Sequence, residues 1–321
     1  MKEKPIVCPL CKNKNHKHVD SINVSILKDI WSSNNIDISN MFDNLNSLNY
    51  YKCNNCSLGF FDPQISGDND FYSQLGQDKL NYDYYEHGGK TEFEYAKKII
   101  SPESSVLDIG SGAGAFSNYL GPKVKYTGIE LSSKAVEIAQ KNKVNVIKST
   151  IEEYVKTAKK KFDFIVVFQV LEHIEDIHSF IESTTSVLKD EGTLILAVPN
   201  NNSFICKTPN HILNLPPHHI LHWNKKSLKR LAVEFKFSVN DIYCERVSQE
   251  HSMSFYFSLI DSFLKKIFFI SPRIIKISNT RTLLSKVSWR IAALLIFFNI
   301  RIYKKCIGQT IIITMKKSIS S

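Results

Sequence analysis

One segment, Val106–Phe116, constrains the fold more than any other part of the chain; it reads VLDIGSGAGAF. An apolar run ends at Asp108, and a Gly-x-Gly-x-Gly pattern then leads into a helical pattern. This order predicts a buried parallel strand, a tight turn and the start of a helix. Glycine suits the turn because the backbone bends sharply and approaches a ligand without an intervening Cβ. The unpaired N–H groups at the helix start favour an anionic or electron-rich ligand.

The glycine pattern alone leaves two cofactor classes open. Gly110-x-Gly112-x-x-Ala115 also satisfies the dinucleotide-binding fingerprint, so a nicotinamide-dependent dehydrogenase is an alternative. A second predicted strand, KYTGIE, closes with Glu130. A carboxylate in that position is a good bidentate acceptor for two adjacent hydroxyl groups.

Two further predicted strands complete a family resemblance. FDFIVVFQVLEHI (Phe162–Ile174) is a buried strand that runs into a polar turn, and GTLILAVPN (Gly192–Asn200) is another. Together with the glycine turn and Glu130, they resemble the class I S-adenosylmethionine (SAM) methyltransferases over roughly Phe93–Lys317. The VLEHI run is similar to that of the ubiquinone-biosynthesis methyltransferases and of the zinc-containing sugar C-methyltransferases. We therefore favour SAM over a nicotinamide cofactor.

The resemblance implies an α/β fold with a doubly wound, seven-stranded, Rossmann-like sheet, a small N-terminal zinc module and a helical C-terminal insertion. The predicted strands are Val106–Ile109, Lys125–Ile129, Val144–Ile147, Phe162–Phe168, Thr193–Val198, Phe237–Tyr243 and Thr310–Thr314. The predicted helices are Ala115–Leu120, Ser132–Lys141, Ile151–Thr157, Ile177–Leu188 and Lys225–Phe235. The expected divisions are 1–63 (zinc module), 64–100 (aromatic linker and lead-in helix), 101–254 (SAM-binding core), 255–306 (basic helical insertion) and 307–321 (last strand and tail).

The resemblance also implies which residues bind the cofactor, because ligands of such sheets lie beyond the carboxyl ends of the strands. Asp108 and the three glycines shape the pocket for the methionine part, and Glu130 binds the ribose hydroxyls. Many relatives carry an acid near Thr150 for the adenine amino group. Here we expect the Thr150 hydroxyl and the Ile151 backbone to replace it. The predicted set is Asp108, Gly110, Gly112, Gly114, Glu130, Leu131, Thr150, Ile151 and Gln169.

Histidines supply the catalytic candidates. PPHHILHW (Pro216–Trp223) places His218, His219 and His222 in a loop that two prolines stiffen. Methyl transfer from SAM requires an aligned acceptor and removal of its proton, and the ordinary pKa of histidine suits that task. Glu172 and His173 follow the fourth strand, where relatives place residues that face the reacting methyl. Capping the following helix and holding the loop is the alternative role of His173. A metal site from these histidines is a weaker hypothesis, because no carboxylate lies near the loop in sequence.

Four of the seven cysteines form two CxxC pairs, Cys8/Cys11 and Cys53/Cys56. Two such turns bring four thiolates to the corners of a tetrahedron, which predicts a closed, structural Zn²⁺ site. Four unrelated free cysteines are the alternative. Four thiolates leave no open position, so this zinc is not expected to be catalytic.

Aromatic residues precede the predicted core. In the related sugar methyltransferases, tyrosines in this region help to cover SAM and substrate. The candidate substrate residues here are Tyr84, Tyr85 and His87. Aromatic packing between the zinc module and the core is an equal alternative.

The net charge of +10 belongs to the C-terminal part of the chain. From Phe255 onward, twelve Lys and Arg stand against a single acid, Asp261, so the remainder is close to neutral. The segment 255–306 predicts two basic, aromatic-rich amphipathic helices separated at Pro272. Such helices suit the surface of a membrane, although their longest uncharged stretch is too short to span one. A helical lid or a dimer surface is the alternative.

These patterns predict a SAM-dependent methyltransferase (EC 2.1.1.-) for a small-molecule acceptor, most plausibly a sugar or a lipid-linked intermediate of polysaccharide biosynthesis. A zinc-containing RNA methyltransferase and a non-catalytic SAM-binding adaptor are the alternatives. Nucleic acid is not favoured, because the basic residues alternate with bulky aliphatics. The first residues lack the apolar core of a signal peptide, so we expect a cytoplasmic protein at the inner face of the membrane. The sequence does not determine the oligomeric state.

Overall fold

The structure, a computed structural model, describes residues 5–77, 90–209, 211–271 and 279–317. Its strands are β1 (His16–Asn23), β2 (Ser47–Cys53), β3 (Gly59–Asp62), β4 (Ser105–Ile109), β5 (Lys125–Glu130), β6 (Val146–Lys148), β7 (Phe162–Phe168), β8 (Leu188–Pro199), β9 (Leu221–His222), β10 (Phe237–Arg246) and β11 (Ile307–Lys317). Its helices are α1 (Val24–Ser32), α2 (Asn69–Gln77), α3 (Thr91–Ile99), α4 (Ser133–Lys141), α5 (Ile151–Thr157), α6 (Ile177–Ser186), α7 (Lys225–Glu234), α8 (Ser252–Ile267) and α9 (Asn279–Phe297). These ranges form two sheets and a helical hairpin.

The larger sheet has seven strands in the order β10-β11-β8-β7-β4-β5-β6, which confirms the predicted doubly wound sheet. β4 to β8 run parallel to one another, and β11 inserts between β8 and β10, antiparallel to both. The order reverses at β4, so the carboxyl ends of β4 and β7 border the crevice in which ligands of such sheets bind. The turn Gly110–Gly114, called here the glycine turn, follows β4 directly.

Side chains of the central strands alternate between two buried layers, as a sheet covered on both faces requires. On β8, Leu194, Leu196 and Val198 join the core beneath the zinc module and α7. Ile195 and Ala197 face the opposite layer, where Phe93 of α3 packs. All five strand residues have no exposed surface, which explains the continuous apolar runs that predicted these strands.

One predicted helix differs from the structure. Residues Ala115–Tyr119 form a short 3₁₀ helix in place of an α-helix. The Ser117 hydroxyl donates a hydrogen bond to the carbonyl of Gly114 at 2.7 Å, competing with regular helical bonding. Leu120 is extended, and Gly121 and Pro122 follow it, so the helix cannot continue.

The smaller sheet joins the N-terminal module to the core. Its order is β1-β2-β3-β9. β9 belongs to the loop Pro216–Trp223 of the core, which is called here the histidine loop. Gly59 pairs with His222 and Phe60 with Leu221 across the β3–β9 junction. The module's own core contains Trp31, whose indole N–H donates to the carbonyl of Pro216 at 2.8 Å. Sequence patterns did not predict this shared sheet.

The insertion forms a helical hairpin, α8–α9. Asp261 of α8 accepts a hydrogen bond from Ser285 of α9 at 3.0 Å, which links the two helices. Lys265, one turn further along α8, donates to the same carboxylate at 2.6 Å. The Tyr256 hydroxyl donates to the carbonyl of Ile300 beyond α9. Among the helices that the structure describes, none combines the length and hydropathy needed to cross a bilayer.

Candidate active site

A cavity of about 1840 Å³ lies at the carboxyl ends of the central strands. One wall is the glycine turn with the ends of β5 and β7. The histidine loop forms a second wall, and the α8–α9 hairpin forms a third. The cavity is larger than most small-molecule sites, so it has room for a cofactor and an acceptor together.

The glycine turn adopts backbone conformations that other residues strain to reach. Gly110, Gly112 and Gly114 have φ angles of 73°, 55° and 80°. A Cβ on Gly110 would lie 2.4 Å from Val170, so a larger residue is excluded there by sterics as well as by backbone strain. Gly110 and Gly112 line the cavity. The turn is therefore a cradle that brings bare backbone against a ligand.

Glu130 projects from the end of β5 into the cavity. One carboxylate oxygen accepts the N–H of Gly112 at 2.9 Å. The other accepts the N–H groups of Leu131 and Ser132 at 2.7 and 2.8 Å. These bonds fix the carboxylate between the two strand ends, which suits the ribose-binding role predicted for it.

Asp108 and Gly114 lie behind the cavity wall, so neither contributes to its lining. Asp108 is only 2% exposed and accepts a hydrogen bond from the Tyr126 hydroxyl at 2.8 Å. Burial raises the pKa of Asp108 to about 7. A Cβ on Gly114 would lie 2.6 Å from Val144. The structure therefore places both residues as supports of the turn.

The remaining predicted cofactor residues line the cavity: Leu131, Thr150, Ile151 and Gln169. The Thr150 hydroxyl caps α5 by accepting the N–H of Glu153 at 3.1 Å, and its proton stays available to a ligand. Gln169 has a φ of 56° and donates to buried Glu92 at 3.4 Å. Such a backbone conformation outside glycine is common at binding sites.

Three predicted catalytic histidines meet in another part of the cavity lining and are called here the histidine cluster: His173, His218 and His219. One ring nitrogen from each lies within 4.8 Å of those of the other two. Burial lowers the pKa of His173 to about 4 and that of His218 to about 3, and it lowers the pKa of His219 well below its ordinary value. The imidazoles are therefore neutral at physiological pH and present lone pairs.

Glu172 completes this part of the lining; the sequence placed it after the fourth strand but did not predict that it lies beside the histidine loop. Its carboxylate oxygen lies 4.0 Å from Nε2 of His173 and 3.9 Å from Nε2 of His219. The side chain is 1% exposed, and burial raises its pKa to about 8. The sequence places Glu172 far from the histidine loop, so only the tertiary fold brings the carboxylate and the loop together.

His222 does not join the cluster and does not line the cavity. Its Nδ1 lies 3.0 Å from the Tyr50 hydroxyl, and its Nε2 lies 3.0 Å from the carbonyl of Asn214. With both nitrogens engaged, His222 links β2 of the zinc module to the histidine loop. The candidate substrate residues Tyr84, Tyr85 and His87 lie outside the described residues.

The two CxxC turns come together as their spacing predicts. The four Sγ atoms lie within 4.8 Å of one another, with Cys8 and Cys56 at 3.6 Å and Cys11 and Cys53 at 3.6 Å. Thiolates bound to Zn²⁺ at 2.3 Å are about 3.8 Å apart in a tetrahedron, so the arrangement fits zinc. Such an ion would hold the module together and supply no open coordination position.

Comparison with known proteins agrees with this geometry. Residues 85–242 match the family described as "Methyltransferase domain". This part of the chain is similar to a methyltransferase domain. The match favours SAM over the nicotinamide cofactors that the glycine pattern had left open.

The curated relatives are similar over part of the chain. A ubiquinone biosynthesis O-methyltransferase of Glaesserella parasuis is 34% identical over 109 residues, covering 30% of this chain and 46% of that protein. One from Pelagibacter ubique is 35% identical over 102 residues, covering 30% and 42%. The chain thus spans less than half the length of these relatives. A crystal structure of a SAM-dependent methyltransferase from Archaeoglobus fulgidus has a TM-score of 0.47 and 20% identity, with coverage of 77% of this chain and 100% of that one.

Substituting Gly110 tests the cradle. We expect Gly110→Ala to weaken binding of S-adenosylhomocysteine (SAH) at least tenfold, because the methyl group would strain the turn and collide with Val170. Gly121→Ala is the matched control, since a Cβ there meets nothing within 4 Å. Calorimetric titration measures both. Equal SAH affinity in the two variants would contradict the assignment of the turn.

Removing zinc tests the link between the two sheets. We expect chelation to raise amide hydrogen exchange in residues 212–222, because β9 would lose its partner strand β3. Exchange in α4, which follows β5 of the larger sheet and has no strand in the smaller one, should not change. Mass spectrometry of peptic fragments makes the measurement. An unchanged loop after confirmed zinc loss would show that the module does not hold it.

Proposed function

We propose that the protein transfers the SAM methyl group to a small-molecule acceptor, either a sugar or a lipid-linked glycan intermediate. The observation that carries this proposal is that two sets of residues line one cavity. The glycine turn and Glu130 form the cofactor wall, and the histidine cluster with Glu172 forms the other. An acceptor between the two walls would contact both the cofactor and the imidazoles.

SAM supplies an electrophilic methyl group on a sulfonium centre, and the chain's own residues do the rest. Glu130 and the turn fix the cofactor, which turns a bimolecular encounter into an oriented one. The histidine cluster assists removal of the acceptor's proton as the new bond forms.

The third wall suggests the acceptor class. Phe257 of α8 and Trp289 of α9 line the cavity with their ring centroids 5.4 Å apart. Lys207 and Lys286 also contribute to the lining. Aromatic rings beside cationic side chains suit a sugar that carries phosphate groups. The names of the curated relatives make a ubiquinone precursor the second candidate.

The outer surface of the hairpin supports a lipid-borne acceptor. Large apolar side chains are exposed there while other residues of the same helices line the cavity; the exposed ones include Phe263, Ile267, Phe268, Phe269, Leu283, Leu294, Phe297 and Phe298. Lys266, Arg290 and Arg301 interrupt this surface. Apolar residues mixed with basic ones match the interface of an anionic bilayer. We propose that the protein acts at the cytoplasmic face of a membrane.

Acceptor screening with labelled SAM tests the reaction. Nucleotide sugars, polyprenyl-linked sugars and demethylated quinols are the probes, and we expect one of the first two classes to be methylated. His219→Ala should lower turnover about 100-fold while SAH affinity stays unchanged, because only the acceptor wall is altered. His251→Ala, outside the histidine cluster, is the control. Full turnover in His219→Ala would remove the cluster from catalysis.

Vesicle flotation tests the membrane contact. We expect the full chain to float with vesicles that contain anionic lipid, and to do so less with neutral vesicles or at high salt. Phe268→Ser combined with Phe269→Ser should reduce the floated fraction several-fold. Val233→Ser, an exposed apolar residue of α7, is the matched control. Equal recovery of all variants in the unbound fraction would overturn the proposal.

A further inference from the structure

We propose that the histidine cluster and Glu172 form a second metal site, which binds a divalent transition ion of the Zn²⁺ type through three nitrogens and one oxygen. This site is separate from the four-thiolate site of the N-terminal module. It opens into the large cavity, whereas the thiolates take no part in that lining. Four features of the described residues support it: donor spacing, ring orientation, an unpaired carboxylate and access from the cavity.

Donor spacing is the first feature. The ring nitrogens of the cluster lie within 4.8 Å of one another, and the Glu172 oxygen lies 3.9 and 4.0 Å from two of them. The nitrogen–oxygen distances are too long for hydrogen bonds. Ligands bound to Zn²⁺ at 2.0–2.1 Å in a tetrahedron are about 3.3 Å apart. His218 and His219 stack with their ring centroids 4.4 Å apart and 20° between the ring planes. One of these rings must therefore rotate, and Glu172 must shift toward the cluster, before all four donors can bind one ion.

Ring orientation is the second feature. In each histidine of the cluster, Nδ1 faces an oxygen that can only accept a hydrogen bond: the His218 carbonyl for His173, the Leu213 carbonyl for His218 at 3.0 Å, and the Asn214 side-chain oxygen for His219 at 3.3 Å. These acceptors hold the proton on Nδ1. Nε2 is then left with its lone pair. Metal-binding histidines show the same arrangement, in which a second hydrogen bond fixes the tautomer and aims the other nitrogen.

The carboxylate of Glu172 is the third feature. Both of its oxygens are buried, and neither has a hydrogen-bond partner within the described part of the chain. Buried carboxylates are normally paired, since an unpaired one loses its hydration without compensation. Its side chain lines the cavity together with the histidine cluster. A cation between Glu172 and the imidazoles would supply the missing partner.

Access is the fourth feature, and it gives the site a role that rests on the proposed function. With four protein donors, the ion would need to expand to five-coordinate to meet an acceptor, and its place in the cavity lining leaves room for that. A cation there would polarise an acceptor hydroxyl, and water in the cavity would take the proton that the hydroxyl releases. The cluster would then act on the acceptor through the ion rather than through a free imidazole.

Metal content of the full chain tests this site. Protein loaded with Zn²⁺ and dialysed is expected to retain two equivalents by mass spectrometry of the elements. His219→Ala and Glu172→Gln should each retain one, because each removes a cluster ligand. The matched controls are His251→Ala and Glu175→Gln; Glu175 accepts from Ser66 outside the cluster, and both variants should retain two.

Cobalt spectra separate the two sites. In Co²⁺-loaded protein, His219→Ala should keep the intense thiolate-to-cobalt absorption of the Cys8 site and lose only the weaker bands of a nitrogen-and-oxygen site. SAH binding and thermal unfolding of the same samples report whether each variant is folded. One equivalent in the wild-type protein, with an identical spectrum in folded His219→Ala, would overturn the proposal.

The same samples distinguish this proposal from the proposed function. Two equivalents with no methyl transfer to any acceptor class would retain the metal site and remove the reaction assigned to it. Methyl transfer by protein that binds a single equivalent would retain the reaction and remove the second metal site. Loss of methyl transfer on mild chelation, with recovery on adding Zn²⁺ alone, is the result we expect.

Discussion

The short pairing of β3 with β9 is the contact on which the position of the histidine cluster depends. β9 ends the histidine loop, and β3 follows the second cysteine turn, so the loop is a strand of the zinc module's sheet. Further bonds reinforce this junction: Trp31 donates to Pro216, Asn224 donates to the carbonyl of Ser57, and His222 contacts Tyr50. A module of this size has a small core, so a four-thiolate zinc ion would stabilise the module and the loop together.

This junction explains how the chain can keep unfavourable groups in place. The histidine cluster and Glu172 lie together in a largely desolvated wall, where neutral imidazoles and an unpaired carboxylate cost folding free energy. Functional sites often contain such groups because the surrounding structure over-determines their positions. Here the restraint comes from the larger sheet, which carries His173 and Glu172, and from the smaller one, which holds the loop.

Much of the fold could be predicted from the sequence, because local patterns encode it. Seven strands follow from apolar runs and from the turn chemistry between them, and all seven occur in the larger sheet. The CxxC spacing likewise identified the four cysteines that converge. The 3₁₀ helix at Ala115–Tyr119 was missed, since its conformation depends on one hydroxyl that competes for a backbone carbonyl.

The candidate site was harder to predict, because burial and tertiary contacts determine the roles of its residues. Asp108 looks like a ligand-binding acid in sequence, yet it lies behind the wall against Tyr126. His222 resembles its neighbours in the loop, but both of its nitrogens are engaged elsewhere. Glu172 gave no sign of its proximity to His219, since the two belong to different elements. Residue type and spacing therefore indicated the chemistry, and only the fold shows which residues share a wall.

A crystal structure with bound SAH would test the central claim most directly. The account predicts that the ribose hydroxyls contact Glu130, that the homocysteine part lies along the glycine turn, and that the sulfur faces the histidine cluster across the cavity. SAH bound elsewhere, or bound with its sulfur turned away from the cluster, would contradict the assignment of the glycine turn and Glu130 to the cofactor and of the histidine cluster to the acceptor.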